Sequence, residues 1–402
     1  MRRLRGISAL LVALVAVPAA SAAHGQSPLA TRLSKALVVP HISPARSAAL
    51  AVDLTTGKVV YGRNQALSLA PASNAKLPLT YALLTTLGPA FRIETEVLGE
   101  GQLEGTVWRG DLVLKGYGDP SLSTSDLRLL AQQVRAQGIR RVDGSIRGDE
   151  SYFDTRRMAP GWKASFYGDE SPPLSALVVD RDKPQGILAP QPALAAAAAF
   201  MGTLKARGVT VKGPAKVGSM ADFALPIASV SSPTLATLLR YMNRESDNFT
   251  AEMLLKALGA AQGTRGTTAA GALVVTMALA DAGIPLAGVR IVDGSGLSRL
   301  DRLTAGALVG ILRASWADPN IRATFYAALP VAGINGTLED RMRRAPARGN
   351  VRAKTGTTRD ASSLSGYVRG RYVFAILQNG RPLSYWWARV AQDRFATVLA
   401  AS

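Results

Sequence analysis

The chain has 402 residues, 48% of them apolar and 19% charged, with a formal charge of +19. That is enough to bury a sizeable core in one large domain or two ordinary ones. The absence of cysteine excludes disulfides, thiolate metal sites and a cysteine nucleophile. His24 and His41 are the only histidines and both lie near the N-terminus. A Ser-His-Asp triad or a histidine-built zinc site therefore does not fit, and a hydrolase would need another base.

Residues 1–22 read as a secretory signal. Arg2, Arg3 and Arg5 form a charged start, residues 7–17 an apolar run, and Ala20-Ser21-Ala22 a small-residue cleavage site. The apolar run is short for a bilayer span, so a retained membrane anchor is the alternative. The expected location is periplasmic or extracellular, in association with the cell wall. Without the signal's three arginines the charge is +16, and the whole chain carries 36 arginines and 11 lysines. Such a surface suits anionic envelope polymers or lipid headgroups. It is equally consistent with a plain solvated face. Nucleic acid is a poor partner for an exported chain.

Residues 26–46 read as a loosely packed lead-in. Strands are expected at 48–53 and 59–63, joined by a turn at Thr55-Thr56-Gly57-Lys58. A helix is expected to begin at Ser73, with Leu77, Tyr81, Leu84 and Leu87 at helical spacing and Gly88-Pro89 ending it. Pro78 lies near enough to its start to be tolerated. Over 91–225 short strands such as 112–115 and 145–147 alternate with Gly and Pro turns, and one helix spans 193–207 before Gly208. This stretch reads as a separate strand-rich module. Helical spacing returns at Leu235, Leu238, Leu239 and Met242, breaks at 244–247, and resumes over 249–258 and 269–282. Strands are expected at 351–354, 363–369 and 372–378, with a tight turn at Gly370-Arg371, and a helix at 385–400. Strands at both ends predict one sheet assembled from both termini. The expected division is a signal at 1–22, a main body of 27–90 with 226–402, and an insertion of 91–225.

Three short motifs occur once each: Ser73-Asn74-Ala75-Lys76, Ser246-Asp247-Asn248 and Lys354-Thr355-Gly356. A serine hydroxyl is a weak nucleophile until a base takes its proton. On a helix, residues three apart share a face, which brings Lys76 to Ser73. A buried lysine can be neutral part of the time, whereas arginine cannot. Ser246 lies where the helical pattern breaks and could relay a proton to a leaving group. Asn248 could bind a substrate amide or orient Lys76. Lys354 offers a fixed positive charge for a substrate carboxylate, and Gly356 permits close backbone approach. The N–H groups of Ser73 and Thr357 would form an oxyanion hole. The hydroxyls of Thr355 and Thr357 are further candidates for holding the carboxylate. Each motif alone has a plain structural alternative: helix caps for Ser73 and for Ser246-Asp247-Asn248, and a basic turn for the third. Tyr241-Met242-Asn243 is a rival to the second motif, but its place in an apolar helical register makes it structural. Asp293-Gly294-Ser295-Gly296-Leu297-Ser298 lacks the phosphate-loop pattern and reads as a tight turn supporting the site. Arg341, Arg343, Arg344, Arg348 and Arg352 read as a solvated basic face.

The ordered set of motifs resembles the signature of penicillin-recognising serine enzymes. With Pro71-Ala72-Ser73-Asn74, Gly118-Asp119-Pro120 and the segments 170–182, 206–213, 243–254, 293–298 and 329–338, the chain resembles the D-alanyl-D-alanine carboxypeptidase/endopeptidase family of low-molecular-mass penicillin-binding proteins. Its likeness is to the kind with a large insertion after the nucleophile. The resemblance implies an α/β transpeptidase or β-lactamase-like domain, an antiparallel sheet flanked by helices, carrying the strand-rich insertion. It implies an acyl-serine intermediate, no metal and no cofactor, peptidoglycan stem peptides as substrate and β-lactam antibiotics as inhibitors. Anionic wall polymers are a further candidate partner. Only 169 residues separate Lys76 from Ser246, fewer than expected for members with two inserted domains, which implies that a third domain is missing or reduced. The alternatives are a β-lactamase and a non-catalytic envelope scaffold. No Glu-x-x-Leu-Asn segment supplies a water-activating glutamate for the first of these.

Overall fold

The computed structural model describes residues 27–182, 188–263 and 265–402. The expected signal at 1–22 and His24 lie outside the described residues. The chain opens with helix α1 (Pro28–Ala36), then strands β1 (Ser47–Asp53) and β2 (Val59–Arg63) and helix α2 (Lys76–Leu87). There follow β3 (Glu94–Glu104), β4 (Val107–Gly116), α3 (Thr124–Ala136), β5 (Arg141–Val142), β6 (Ile146–Asp149) and the short α4 (Phe166–Asp169). Next come α5 (Pro192–Ala206), β7 (Thr210–Val211), β8 (Ala215–Val217) and β9 (Leu225–Ser231). The helices α6 (Leu235–Arg244), α7 (Asn248–Ala261), α8 (Thr268–Asp281), α9 (Ala305–Ala317) and α10 (Pro319–Ala328) precede β10 (Val351–Thr357), β11 (Ala361–Val368), β12 (Tyr372–Asn379) and α11 (Tyr385–Ala400).

Two sheets result. The first has the order β10-β11-β12-β1-β2 and is antiparallel throughout, so strands from both ends of the chain share it as expected. The second runs β7-β5-β4-β3-β9, with β6 beside β4 and β8 beside β6. In it the β3–β4 and β3–β9 pairs are antiparallel, while β4–β5, β4–β6, β5–β7 and β6–β8 are parallel. Such a mixed sheet needs helical cover, and α3 and α5 supply it through Leu127, Leu130, Val134, Phe200 and Leu204, all fully buried. The fold is α/β, with an antiparallel sheet flanked by helices and a second strand-rich region.

Each face of the first sheet has its own core. On one side Val373, Ala375 and Leu377 of β12 pack with Leu77 and Leu83 of α2, Leu254 of α7 and Leu308 and Ile311 of α9. On the other, Phe374 and Ile376 meet Phe395 and Leu399 of α11 and Leu33 of α1. Alternate residues of one strand thus serve opposite layers, the period-2 rule of strands. A third cluster joins the two regions: Phe153, Leu174, Ala176 and Val178 lie against Phe249, Met253 and Ala257 of α7.

The structure differs from the sequence expectation in several places. The lead-in is not loose, because α1 is capped by Ser27, starts with proline, and buries Leu33 against α11. Helix α3 was not expected, although Ser123 and Asp126 form a reciprocal capping box before it. Helix α2 begins three residues late: Ala72–Ala75 form a 3-10 turn carrying Ser73, and α-helical geometry starts at Lys76. Of the arginines assigned to a solvated face, Arg341 is largely buried in hydrogen bonds to Asp393 and Gln392, and Arg352 lies over the Tyr326 ring at 4.7 Å.

Candidate active site

Ser73 stands on a tight turn pressed between two loops and a strand. Its predecessor Ala72 has φ 48°, in the left-handed region. The turn is tied to the first sheet at several points: Ser363 Oγ donates to Pro71 O at 2.7 Å, Asn74 Nδ2 donates to Lys354 O at 3.1 Å, and Ala70 and Asn379 exchange two bonds of 2.9 and 3.0 Å. A Cβ placed on Gly356 would lie 2.2 Å from Ser363 Oγ, 2.9 Å from Pro71 O and 3.0 Å from Ser73 N. The glycine of the third motif is therefore what lets β10, the edge strand, lie against the serine turn.

Lys76 is fully buried, and its Nζ lies 3.1 Å from Ser73 Oγ, 2.9 Å from Asn248 Oδ1 and 2.8 Å from Ser295 O. Two of these neighbours are acceptors only. A neutral amine has two N–H bonds and one lone pair, so Asn248 and Ser295 can take both hydrogens and leave the lone pair for the serine proton. Burial pushes the ammonium down to about 8, against the opposing pull of Asp293, Asp247, Glu252 and Glu170.

Ser246 has φ 58° and follows α6, while Asn248 opens α7 behind the cap residue Asp247. Ser246 Oγ accepts from Lys354 Nζ at 2.8 Å, and Lys354 also donates to Thr355 O at 2.9 Å. Lys354 is fully buried. Burial and then the charge of Lys76 push it well below the ordinary lysine range. The Thr355 hydroxyl pairs with Thr337 Oγ1 at 2.7 Å.

Ser73, Ser246, Asn248 and Thr357 line one cavity of about 890 Å³. Six basic side chains (Arg46, Lys163, Arg299, Arg302, Arg359 and Arg381) share it with two acidic ones, Glu170 and Asp360. Lys76, Lys354, Thr355 and Gly356 sit behind this surface. The three motifs, distant from one another in sequence, thus meet at one place.

Sequence reasoning read 293–298 as a tight turn supporting the site, and the structure shows what builds it, including Glu252, which that reasoning passed over. Asp293 accepts from Trp162 Nε1 and from the N–H groups of Gly296 and Ser298, at 2.8, 2.7 and 2.7 Å. Glu252 Oε1 accepts from Gly294 N and Ser295 N at 3.0 and 2.8 Å. These two carboxylates shape the 293–298 turn that presents Ser295 O to Lys76. Burial, followed by the negative charge of Asp293, pushes Glu252 up to about 8. Asn248 Nδ2 reaches Glu170 Oε2 at 3.3 Å. A lone acidic residue in a helical pattern carries no signal of this; only the run of glycines at 294 and 296 hinted at a built turn. The rival Tyr241-Met242-Asn243 is structural: Tyr241 faces outward, and the buried Asn243 donates to Thr80 Oγ1 and Leu239 O at 2.9 and 3.1 Å.

The chain is similar to several known proteins. The D-alanyl-D-alanine carboxypeptidase of Actinomadura sp. (strain R39) is 32% identical over 425 residues, spanning 85% of this chain and 79% of that one. Carboxypeptidase DacB of Mycolicibacterium smegmatis is 32% identical over 403 residues, spanning 92% and 83%. The crystal structure of penicillin binding protein 4 of Haemophilus influenzae superposes with a TM-score of 0.80 at 21% identity, covering 92% of this chain and 98% of that one, which shows a shared fold. The profile of the D-Ala-D-Ala carboxypeptidase 3 (S13) family matches residues 29–191 and 181–401, and the chain belongs to that family.

Proposed function

We propose that the protein is an exported serine D-Ala-D-Ala carboxypeptidase/endopeptidase that acts on peptidoglycan stem peptides. The observation that carries this is the Lys76 amine, buried, held by two acceptors and 3.1 Å from Ser73 Oγ. Ser73 attacks the carbonyl of the penultimate D-alanine as Lys76 takes its proton. The N–H groups of Ser73 and Thr357 receive the oxyanion, which a preorganised pair stabilises better than water does. Lys76 returns that proton to the leaving amine by way of Ser246, which Lys354 supports, the C–N bond breaks, and D-alanine departs. Water then attacks the acyl ester, and Lys76 serves again as base. The basic residues around the cleft suit a substrate rich in carboxylates, and the same charge would favour contact with anionic wall polymers. β-Lactams would acylate Ser73 by the same route.

Intact mass followed over time after adding benzylpenicillin tests the reading. A lasting adduct that maps to Ser73, with D-alanine release lost in Ser73→Ala, is the expected result. Unchanged release in Ser73→Ala would overturn it. An adduct that vanishes within seconds while penicillin is consumed would assign a β-lactamase instead.

A further inference from the structure

Asp247, the residue between Ser246 and Asn248, has two tasks. Its Oδ1 accepts from Thr250 N at 2.8 Å, capping α7. The same carboxylate takes two bonds from the Arg181 guanidinium, Nη1 to Oδ1 at 3.2 Å and Nη2 to Oδ2 at 2.7 Å. The guanidinium also lies over the Phe249 ring, 5.0 Å from its centroid. Arg181 therefore grips residues 247 and 249, the two that flank Asn248. It reaches them from the stretch between β6 and α5, outside the helical body.

The backbone that delivers Arg181 is unusual. Asp180, Arg181 and Asp182 have φ of 49°, 55° and 62°. Glycine adopts this region freely and aspartate tolerates it, but arginine has no local reason to. The turn is held from outside. Asp180 N donates to Leu122 O at 2.9 Å, and the Asp180 carboxylate accepts from Thr124 N at 3.0 Å and from the Thr124 hydroxyl. Ser246, on the other side of the ion pair, is left-handed as well. Strained residues persist where surrounding structure over-determines them, and they gather at working sites. An ion pair with the arginine side chain 36% exposed adds little stability by charge alone, but a bidentate fork fixes direction.

We propose that Arg181 is a positioning residue: its fork on Asp247, backed by Phe249, sets the Ser246–Asn248 loop so that Asn248 meets Lys76 and Ser246 meets Lys354. This rests on the serine acyl-transfer reading of the site.

The full chain and its variants Arg181→Ala, Arg181→Lys, Asp247→Asn and the double Arg181→Ala/Asp247→Asn test it. Asn still caps a helix, so Asp247→Asn removes the ion pair with the cap retained. We expect Arg181→Ala and Asp247→Asn each to slow benzylpenicillin acylation about tenfold or more, with kcat for D-alanine release falling and KM within about threefold, and the double variant to be no slower than the slower single. Lysine should recover part of the loss, because it keeps the charge without the fork. Amide hydrogen exchange over 244–250 should speed up in Arg181→Ala. Acylation within about twofold of wild type, strictly multiplicative losses in the double variant, or unchanged exchange would overturn the proposal. If Arg181→Ala fails to fold, Asp247→Asn carries the test. A wild type never acylated at Ser73 would overturn the reading of the site, while the exchange measurement would still decide the clamp.

Discussion

In the proposed mechanism Lys76 can take the Ser73 proton only while its own amine is neutral. Burial holds the ammonium near 8, and among the described residues the third N–H finds only Ser73 as an acceptor. The direction of the pH effect follows. Protonation below about 8 fills the lone pair, so acylation should fall about tenfold per pH unit on the acid side and level off above it. The pH dependence of benzylpenicillin acylation measures this directly, and a flat profile between about pH 6 and pH 9 would contradict it. Lys76→Arg keeps the positive charge but cannot shed its proton, so above about pH 8 acylation should drop about 10²–10⁴-fold, and the gap to wild type should narrow as the pH falls. If the arginine variant kept near-normal rates, Lys76 would be an electrostatic partner and not the base.

At the scale of elements, the site is a close packing of a 3-10 turn, an edge strand and two loops, and glycine makes the packing feasible. Gly356→Ala would thrust a methyl group into Ser363 Oγ and toward Ser73 N. The strand must then retreat from the serine turn, at an overpacking cost of about 1–3 kcal/mol. Because Thr357 moves with it, acylation should fall by more than the loss of folded protein explains; acylation per folded molecule, with folding read by circular dichroism, checks this. Such a contact explains what the sequence revealed and what it hid. The side chains proposed to react are rare, ordered and chemically distinctive, so Ser73, Lys76, Ser246, Asn248 and Lys354 stood out in the chain, and the structure brings them together. The strands β1, β2 and β10 to β12 were legible because each alternates or runs apolar between clear turns. Helix α1 was not, since it buries only Leu33 and Ala36 and gives no periodic run. Glu252 was hidden for another reason: its partners are the backbone N–H groups of Gly294 and Ser295, which no side-chain pattern encodes. Arg181 was hidden because its partner Asp247 is 66 residues away.

For the whole molecule, the question is whether the second sheet is a separate folding unit or part of one body. Its entry and exit are closed by a reciprocal pair, Ser232 N to Ile93 O at 2.8 Å and Ile93 N to Ser232 Oγ at 3.0 Å, which alone would permit independent motion. The apolar cluster beyond this neck argues for one unit. Phe153 is 1% exposed and packs with Phe249 and Met253 of α7, the helix that begins with Asn248. Its ring also fills the space that side chains at Gly118 and Gly266 would need, so both flanking loops are shaped around it. Next to it Lys256, fully buried, pairs with Asp154 and donates to Arg156 O at 2.9 Å. Truncating a buried phenylalanine costs about 3–5 kcal/mol through lost burial and the cavity left behind. Phe153→Ala should therefore destabilise the molecule by that amount. If the two regions are one cooperative unit, denaturant curves followed by far-ultraviolet circular dichroism and by the capacity for penicillin acylation should shift together and stay superimposed. If acylation capacity is instead lost at the wild-type midpoint while only part of the dichroism change moves, the cluster is an ordinary domain contact. The loop of Ser246 and Asn248 would then owe its position to the Arg181 fork and not to a shared core.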